Sequence, residues 1–177
     1  HGIRGVLVKF IDGTHTSGAK DAVTAGHDTF AEIDATDLAT VMAALPQYAL
    51  TNARFYCSQP AWSLIFERLA QASGGVTKSE FAGRTIPTYQ GYPIEISQKM
   101  PTSTGDLNNK VMIMFGDLSR AVTMGERRGI TIATSSERYF ELDQLAIKGT
   151  ERFDINVHDL GDNTNAGPLV ALIGFTS

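Results

Sequence analysis

One cysteine, Cys57, is all that 177 residues offer, so there is nothing here from which to build a disulfide framework. Basic tracts are missing as well. Fifteen Lys and Arg are spread among nineteen Asp and Glu, for a formal charge of -4, which argues against a surface that neutralises many phosphates. The longest apolar runs, Val111 to Phe115 and Leu169 to Phe175, fall far short of the roughly 20 residues a membrane helix needs. No charged-apolar-small leader opens the chain, and no internal repeat or low-complexity tract interrupts it. The expectation is a soluble, intracellular product without a membrane partner. A first residue of His1 in place of methionine fits a processed chain or a fragment of a longer one.

What is present suits one globular unit, since 42% of the residues are hydrophobic, enough for a real core. The opening "IRGVLVKF" reads as a strand, and "IDGTHTSGAKDAVTAGHD" (residues 11–28) reads as turns and mobile loop because Gly, Thr, Ser and Asp dominate it. In "IDATDLATVMAALP" the residues Leu38, Val41, Met42 and Leu45 recur at the spacing of one helix face. Asp34 or Thr36 can cap that helix and Pro46 stops it, which predicts a helix over about 36–45. A strand "ARFYCS" follows, then a second helix with Ser58 as N-cap, Pro60 in its first turn, and Trp62, Ile65, Phe66 and Leu69 on one side, ending near Ser73-Gly74-Gly75. From Gly91 onward the chain reads as strand and turn, so the fold class is α+β. "ERFDINVH" is the clearest strand, with Phe153, Ile155 and Val157 alternating against Arg152, Asp154, Asn156 and His158 as on a sheet with one wet face. In "MIMFGDLSRAVTMGERRGITI" an apolar strand runs into Gly116-Asp117, and Arg127 and Arg128 sit between two glycines where a hairpin tip is expected.

Candidate chemistry is thin. Asp12, His15, Asp21, His27 and Asp28 offer mixed nitrogen and oxygen donors for a metal, but their spacing has no helical or hairpin register to gather them. "SGGVTKS" lacks the glycines of a phosphate-binding loop at the required offsets and follows a helix, so it reads as a connector. Cys57 would be a nucleophile only with a base beside it, and His158 is the one histidine on a predicted strand. Glu137, Glu141, Asp143 and Glu151 show no paired-carboxylate pattern, and no Gly-x-Ser-x-Gly elbow occurs. No catalytic, cofactor or metal residue is assigned. The double arginine is either a polar guard on a sheet edge or a ligand for carboxylate or phosphate groups on a neighbour.

Several stretches in order give the chain a resemblance. "YCSQPAWSLIFERL", "GRTIPTYQGYPIEISQKMP", "MFGDLSRAVTMGERRGITIATSSERYF" and "RFDINVHDL" leading to "GPLVALIGF" together resemble the major capsid proteins of tailed double-stranded DNA phages with the Hong Kong 97-type shell fold. Gly91 and Pro93, Met100 and Pro101, and Gly116 and Asp117 carry the likeness. It implies an opening strand and mobile loop over 1–33, an axial lobe of two helices on a mixed sheet over 34–134, and peripheral-lobe strands over 135–177. It also implies that the family's N-terminal arm, extended loop and spine helix lie upstream of His1. The implied role is a non-enzymatic subunit that forms pentamers and hexamers around DNA in the virion capsid. Assembly would take place in the bacterial cytoplasm, with scaffold or prohead protease and portal as partners and no cofactor. Arg127 and Arg128 would form intersubunit ion pairs, and Thr102, Asn108 and Asn109 would hydrogen-bond around a ring axis. Cross-linking of the kind some members use is not expected, because Asp143 and Thr150 occupy the asparagine and glutamate positions. A small α+β enzyme or ligand-binding module using Cys57 and the His15 to Asp28 loop, or a phage tail or decoration protein, are the rival readings.

Overall fold

A computed structural model describes residues 5–22, 26–72, 78–81, 84–137 and 140–175. Its main body is a seven-stranded mixed sheet, in spatial order β1-β9-β6-β2-β5-β4-β3. These strands are β1 (Ala19–Asp21), β2 (Arg54–Cys57), β3 (Lys78–Phe81), β4 (Arg84–Tyr89), β5 (Tyr92–Ile96), β6 (Val111–Gly116) and β9 (Leu169–Ile173). β1 with β9 and β2 with β5 pair in parallel, while the other neighbours are antiparallel. The two remaining strands, β7 (Val122–Ser135) and β8 (Ala146–Val157), pair only with each other, as a long antiparallel ribbon.

Two helices cover one face of the sheet, as the apolar stripes predict. Helix α2 (Ala35–Ala44) starts at a reciprocal cap: the Asp34 side chain accepts from the backbone N–H of Thr36 and Asp37, and the Asp37 side chain accepts from that of Asp34. Replacing Asp34 with alanine is expected to cost about 1 kcal/mol of stability near neutral pH. The bonds from the Asp37 and Thr36 backbone hold the Asp34 carboxyl below its usual range, against some desolvation. A lowered folded pKa means that this stabilisation is present above the unfolded value of about 3.9 and is lost as pH falls through the folded one. Chemical denaturation of both proteins at neutral pH and near pH 2 should therefore show the gap closing in acid. The next helical stretch, α3, joins Gln59–Ala61, a wider π-type segment Trp62–Glu67 and Arg68–Ala72, with Ser58 as its cap and Pro60 in the first turn. The predicted end near Ser73-Gly74-Gly75 falls outside the described residues, as does most of the "SGGVTKS" connector.

Phe55 on β2 is the hub of the core under these helices. Its ring stacks on Phe115 at 4.3 Å and meets Phe66 and Tyr89 edge-on at 5.1 and 5.9 Å. The opposite face of the sheet holds a second cluster in which Phe10, Met100, Met114, Leu160, Leu169 and Ala171 pack together. Sheet strands β6 and β9 lie between the two clusters and are buried along their whole length, which is why their sequences are unbroken apolar runs without alternation.

The first thirty residues depart from expectation. "VLVKFI" is helix α1 (Val6–Ile11), not a strand. Val6, Leu7 and Phe10 turn to one side and pack on the second cluster, while Val8 and Ile11 are exposed, and an alternating strand would have kept Val8 with Val6. The segment read as loop instead contributes β1, whose pairing with β9 depends on a partner some 150 residues away. Sheet membership also crosses the segments drawn from the resemblance. The large sheet takes β1 from 1–33 and β9 from 135–177, and the ribbon takes one strand from each side of residue 135. Among the described residues, no helix is long and apolar enough to cross a membrane.

Candidate assembly surfaces

The residues singled out for chemistry are scattered. Cys57 lies in the core cluster under the helices, where burial pushes its thiol up to about 12, so it behaves as a small hydrophobe at neutral pH. His158 lies just past the end of β8, exposed, with its ring 3.2 Å from the Thr123 hydroxyl. In the 11–28 segment, Asp12 bonds to Thr14, His15 reaches the Gly161 carbonyl at 2.7 Å, and Asp21 is exposed on β1. His27 turns away from these to Asp37, 2.9 Å from its carboxylate. Asp28 faces Asp106 and Glu32; desolvation first, and then these two charges, push its carboxyl up. The structure thus fastens the segment to several neighbours and does not gather the five residues into one site.

One grouping escaped the sequence analysis. His27, Asp34 and Asp37 bring their donor atoms within 4.8 Å of one another. One oxygen of each carboxylate is engaged in local bonds: Asp34 Oδ1 accepts two backbone N–H groups of α2, and Asp37 Oδ2 accepts from the Asp34 N–H and faces His27 Nδ1. The grouping is a helix cap extended by one histidine, and the Asp-x-x-Asp spacing before an apolar run is the signal that marks it.

The segment Lys99 to Lys110 is built as a pinned loop. Met100 and Leu107 are buried at its two ends, and residues 102–106 between them are all exposed. The root is stitched to the sheet by Leu107 N–H to the Asp28 carbonyl at 2.8 Å, Asn109 N–H to the Gly174 carbonyl at 3.1 Å and Gly174 N–H to the Lys110 carbonyl at 3.2 Å. Thr102 is on the exposed crown, and Asn109, at φ 53°, is exposed beside the root. Asn108 is placed differently: half-buried, with its side chain beside Asp28 and its backbone bridged to Gly174.

The arginine pair is not at a hairpin tip. Arg127 and Arg128 lie within β7, which runs past them to Ser135, and the antiparallel partner begins only at Ala146, after a helical turn at Phe140–Leu142. Asp143, at φ 51°, lies between the two strands, and Thr150 is paired with Thr131 in the ribbon, so the two positions matched to the cross-link residues are on separate elements. A tight turn at 125–129 would need positive φ, and neither Gly125 nor Gly129 has it. Continuing the ladder with β8 satisfies more backbone groups than a short tip would. The surplus residues are absorbed as register shifts between Glu126 and Arg128 and between Arg128 and Thr131. Arg127 is exposed.

The ribbon also leaves a broad apolar face open. Directly opposed residues of an antiparallel pair share a face, so Met124 joins Ile155, and Ile132 and Thr134 join Gly149 and Ile147, on the side that carries Phe153. At its base Val122 and Val157 pack on the second cluster, but farther out the side is uncovered: Met124 is 61% exposed, Ile132 68%, Ile147 70% and Phe153 47%. The alternation in "ERFDINVH" foretold one wet face, yet in this chain both faces meet solvent. Large apolar side chains left exposed on one side of a ribbon mark an interaction surface.

A sheet body bearing a pinned polar loop and a two-stranded arm with an open apolar face presents shape and contact surface, which is the class of a structural, assembling protein. The chain belongs to the phage capsid family, whose family model matches residues 2–160. Solved structures share the fold. The capsid of an empty GTA particle matches with a TM-score of 0.62 at 19% identity, over 90% of this chain and 48% of that one. The holo-SrpI encapsulin complex of Synechococcus elongatus matches at 0.60 and 16%, over 93% and 55%. A chain of Mycobacterium phage Bobi matches at 0.53 and 17%, over 99% and 56%. This chain therefore spans about half the length of each of these matched chains. No curated protein matches it in sequence.

Proposed function

We propose that this chain is a structural subunit of a phage or prophage icosahedral capsid, assembling into pentamers and hexamers that enclose double-stranded DNA. Family membership across residues 2–160 supports the shell role, and the observation that carries the assembly reading is the uncovered apolar face of the β7–β8 ribbon. The large apolar side chains on that face each favour burial by roughly 2 kcal/mol once covered, by a neighbouring copy or by another segment of the same polypeptide. The weak net charge of -4 suits a wall that encloses DNA without gripping it. In this reading the sheet body with α2 and α3 is the axial lobe and the ribbon belongs to the peripheral lobe. The exposed crown around Thr102 faces a ring axis, with Asn109 beside it and Asn108 holding the root. Exposed Arg127, with Arg128 next to it, supplies ion pairs to a neighbouring copy. Scaffold or prohead protease and portal are the further partners, the virion is the final location and the host cytoplasm is where assembly occurs.

Electron microscopy of the gene product containing this chain, made with the scaffold or protease encoded beside it, tests the reading. Closed shells or capsomer rings are expected, and a folded protein that stays monomeric would overturn it. Changing Arg127 and Arg128 to Glu should reduce shell yield by at least tenfold with the melting temperature unchanged, because like charges facing across a contact cost several kcal/mol. Normal yield from that variant would remove the ion-pair assignment. Deleting Thr102 to Asp106 should abolish rings if the crown lines the axis.

A further inference from the structure

Halfway along the ribbon its two faces carry opposite charge. The first register shift sets two residues of β7, Arg127 and Arg128, opposite one residue of β8, Arg152. A third arginine, distant in sequence, thus joins the pair at one level, on the side where the alternation of β8 also puts Lys148 and Asp154. The other side is acidic there. Glu126 is registered opposite Phe153, and Glu151 is two residues along β8 from Phe153, so both glutamates stand beside that ring on the apolar face. Arg127, Arg152, Glu126 and Glu151 are all exposed, and none of the four is in an ion pair among the described residues. Like charges directly opposite one another weaken a sheet. Arg128 registered against Arg152 is such a pair, and Arg152 finds no acid among the described residues to offset it.

We propose that the ribbon stacks on the ribbon of a second copy, with the arginine face of one against the glutamate face of the next. The charges select this occupant and this orientation. Pairing like faces would set arginines against arginines or carboxylates against carboxylates, which repels a two-fold contact. Pairing unlike faces cancels the charge and leaves each copy with one further face of each kind, which is the heterologous contact from which rings are built. The glutamate face also suits a guanidinium. Phe153 is 47% exposed beside the two carboxylates, so a planar guanidinium stacks on the ring while its N–H groups donate to the acids. Two glycines keep the approach open, Gly125 on the arginine face opposite Asp154 and Gly149 on the glutamate face opposite Ile132. A Cβ at either would meet nothing within 4 Å, so the packing of the chain itself requires neither. The inference rests on the shell reading and gives its arginine contact a third member, Arg152, and a partner, Glu126 and Glu151 of the next copy.

Charge reversal in the gene product containing this chain tests the contact, with ring or shell yield read by sedimentation and electron microscopy. Changing Arg127, Arg128 and Arg152 to Glu, or separately Glu126 and Glu151 to Arg, should cut the yield by roughly tenfold or more with the thermal midpoint unchanged, since either set places like charges across the contact. The chain carrying all five reversals has opposite charges on its two faces again and should assemble at about the parent yield. A second measurement needs no reversal. Chains carrying Arg152→Cys mixed with chains carrying Glu151→Cys should be joined by a thiol crosslinker about 10 Å long, the spacing of stacked sheets, whereas neither variant alone should be. Cys57 is buried and does not compete. Parent-like yield from either reversed set, or no crosslink in assembled mixtures, would overturn the contact and leave the shell reading standing. Loss of yield with the arginine set alone would place the anion elsewhere, as on a phosphate backbone, and overturn it too. A folded parent that stays monomeric would overturn the shell reading and this contact together.

Discussion

Gly116→Ala is expected to destabilise the protein by roughly 3 kcal/mol or more, or to prevent folding. Gly116 ends β6 at φ 139°, a backbone conformation that side-chain-bearing residues rarely adopt. A Cβ there would run into the Pro168 carbonyl oxygen and lie 2.9 Å from the Leu169 Cα and 3.0 Å from the end of the Leu45 side chain. Two of these three obstacles are backbone, so they cannot turn aside. The close approach has a purpose in the fold: the next residue donates its N–H to the Pro168 carbonyl at 2.9 Å, and its side chain accepts from the Ser119 N–H at 3.0 Å, which starts the short helix α4 (Leu118–Ala121) at the foot of the ribbon. That residue, Asp117, is buried, and burial pushes its carboxyl up. The bonds from Ser119 and Asn52 and the charge of Arg120 outweigh burial, so the carboxyl ends below its usual range. Gly125→Ala, a few residues on, is the control. With ordinary φ and open space around it, alanine there should leave the thermal midpoint unchanged or slightly higher. Comparable losses at both positions in thermal or denaturant unfolding would show that the crowding at Gly116 does not govern stability.

Phe55→Ala should cost about 4 kcal/mol, a large share of the 5–15 kcal/mol that holds an ordinary domain together. The ring is fully buried and touches aromatic side chains from three other elements: Phe66 of α3, Tyr89 of β4 and Phe115 of β6. Removing it leaves a hole between the helices and the sheet that those rigid rings cannot close. Phe55→Leu fills most of the volume but forfeits the ring-to-ring geometry, so a loss nearer 1–2 kcal/mol is expected. Denaturant titration should then order the proteins as parent, Leu, Ala, with nearly equal slopes. An alanine variant within 1 kcal/mol of the parent would mean that the core collapses around the gap and that the aromatic cluster is not the keystone.

What the sequence determined by itself is the set of elements whose signals are local. Helix α2 was legible because its stripe, its Asp34 cap and its Pro46 stop lie within one stretch. β6 and β9 were legible as strands from their short apolar runs, and the alternation of β8 needed no knowledge of its partner. The Gly-Asp step was visible as a motif, although nothing in the chain order shows that the obstacle requiring the glycine is the backbone at Pro168. The tertiary structure decided what depends on distant partners. "VLVKFI" satisfies a strand pattern through Val6, Val8 and Phe10 and a helix pattern through Val6, Leu7 and Phe10, and only packing on the second cluster selects the helix. β1 is three residues long and has no period to recognise; β9 defines it. Around Arg127 the glycines advertise a turn, but β8 offers an unbroken ladder, and backbone hydrogen bonds favour the longer pairing. The assembly surfaces follow the same division. An alternating strand announces that it has an apolar side, whereas whether anything in the same chain covers that side is a property of the folded whole.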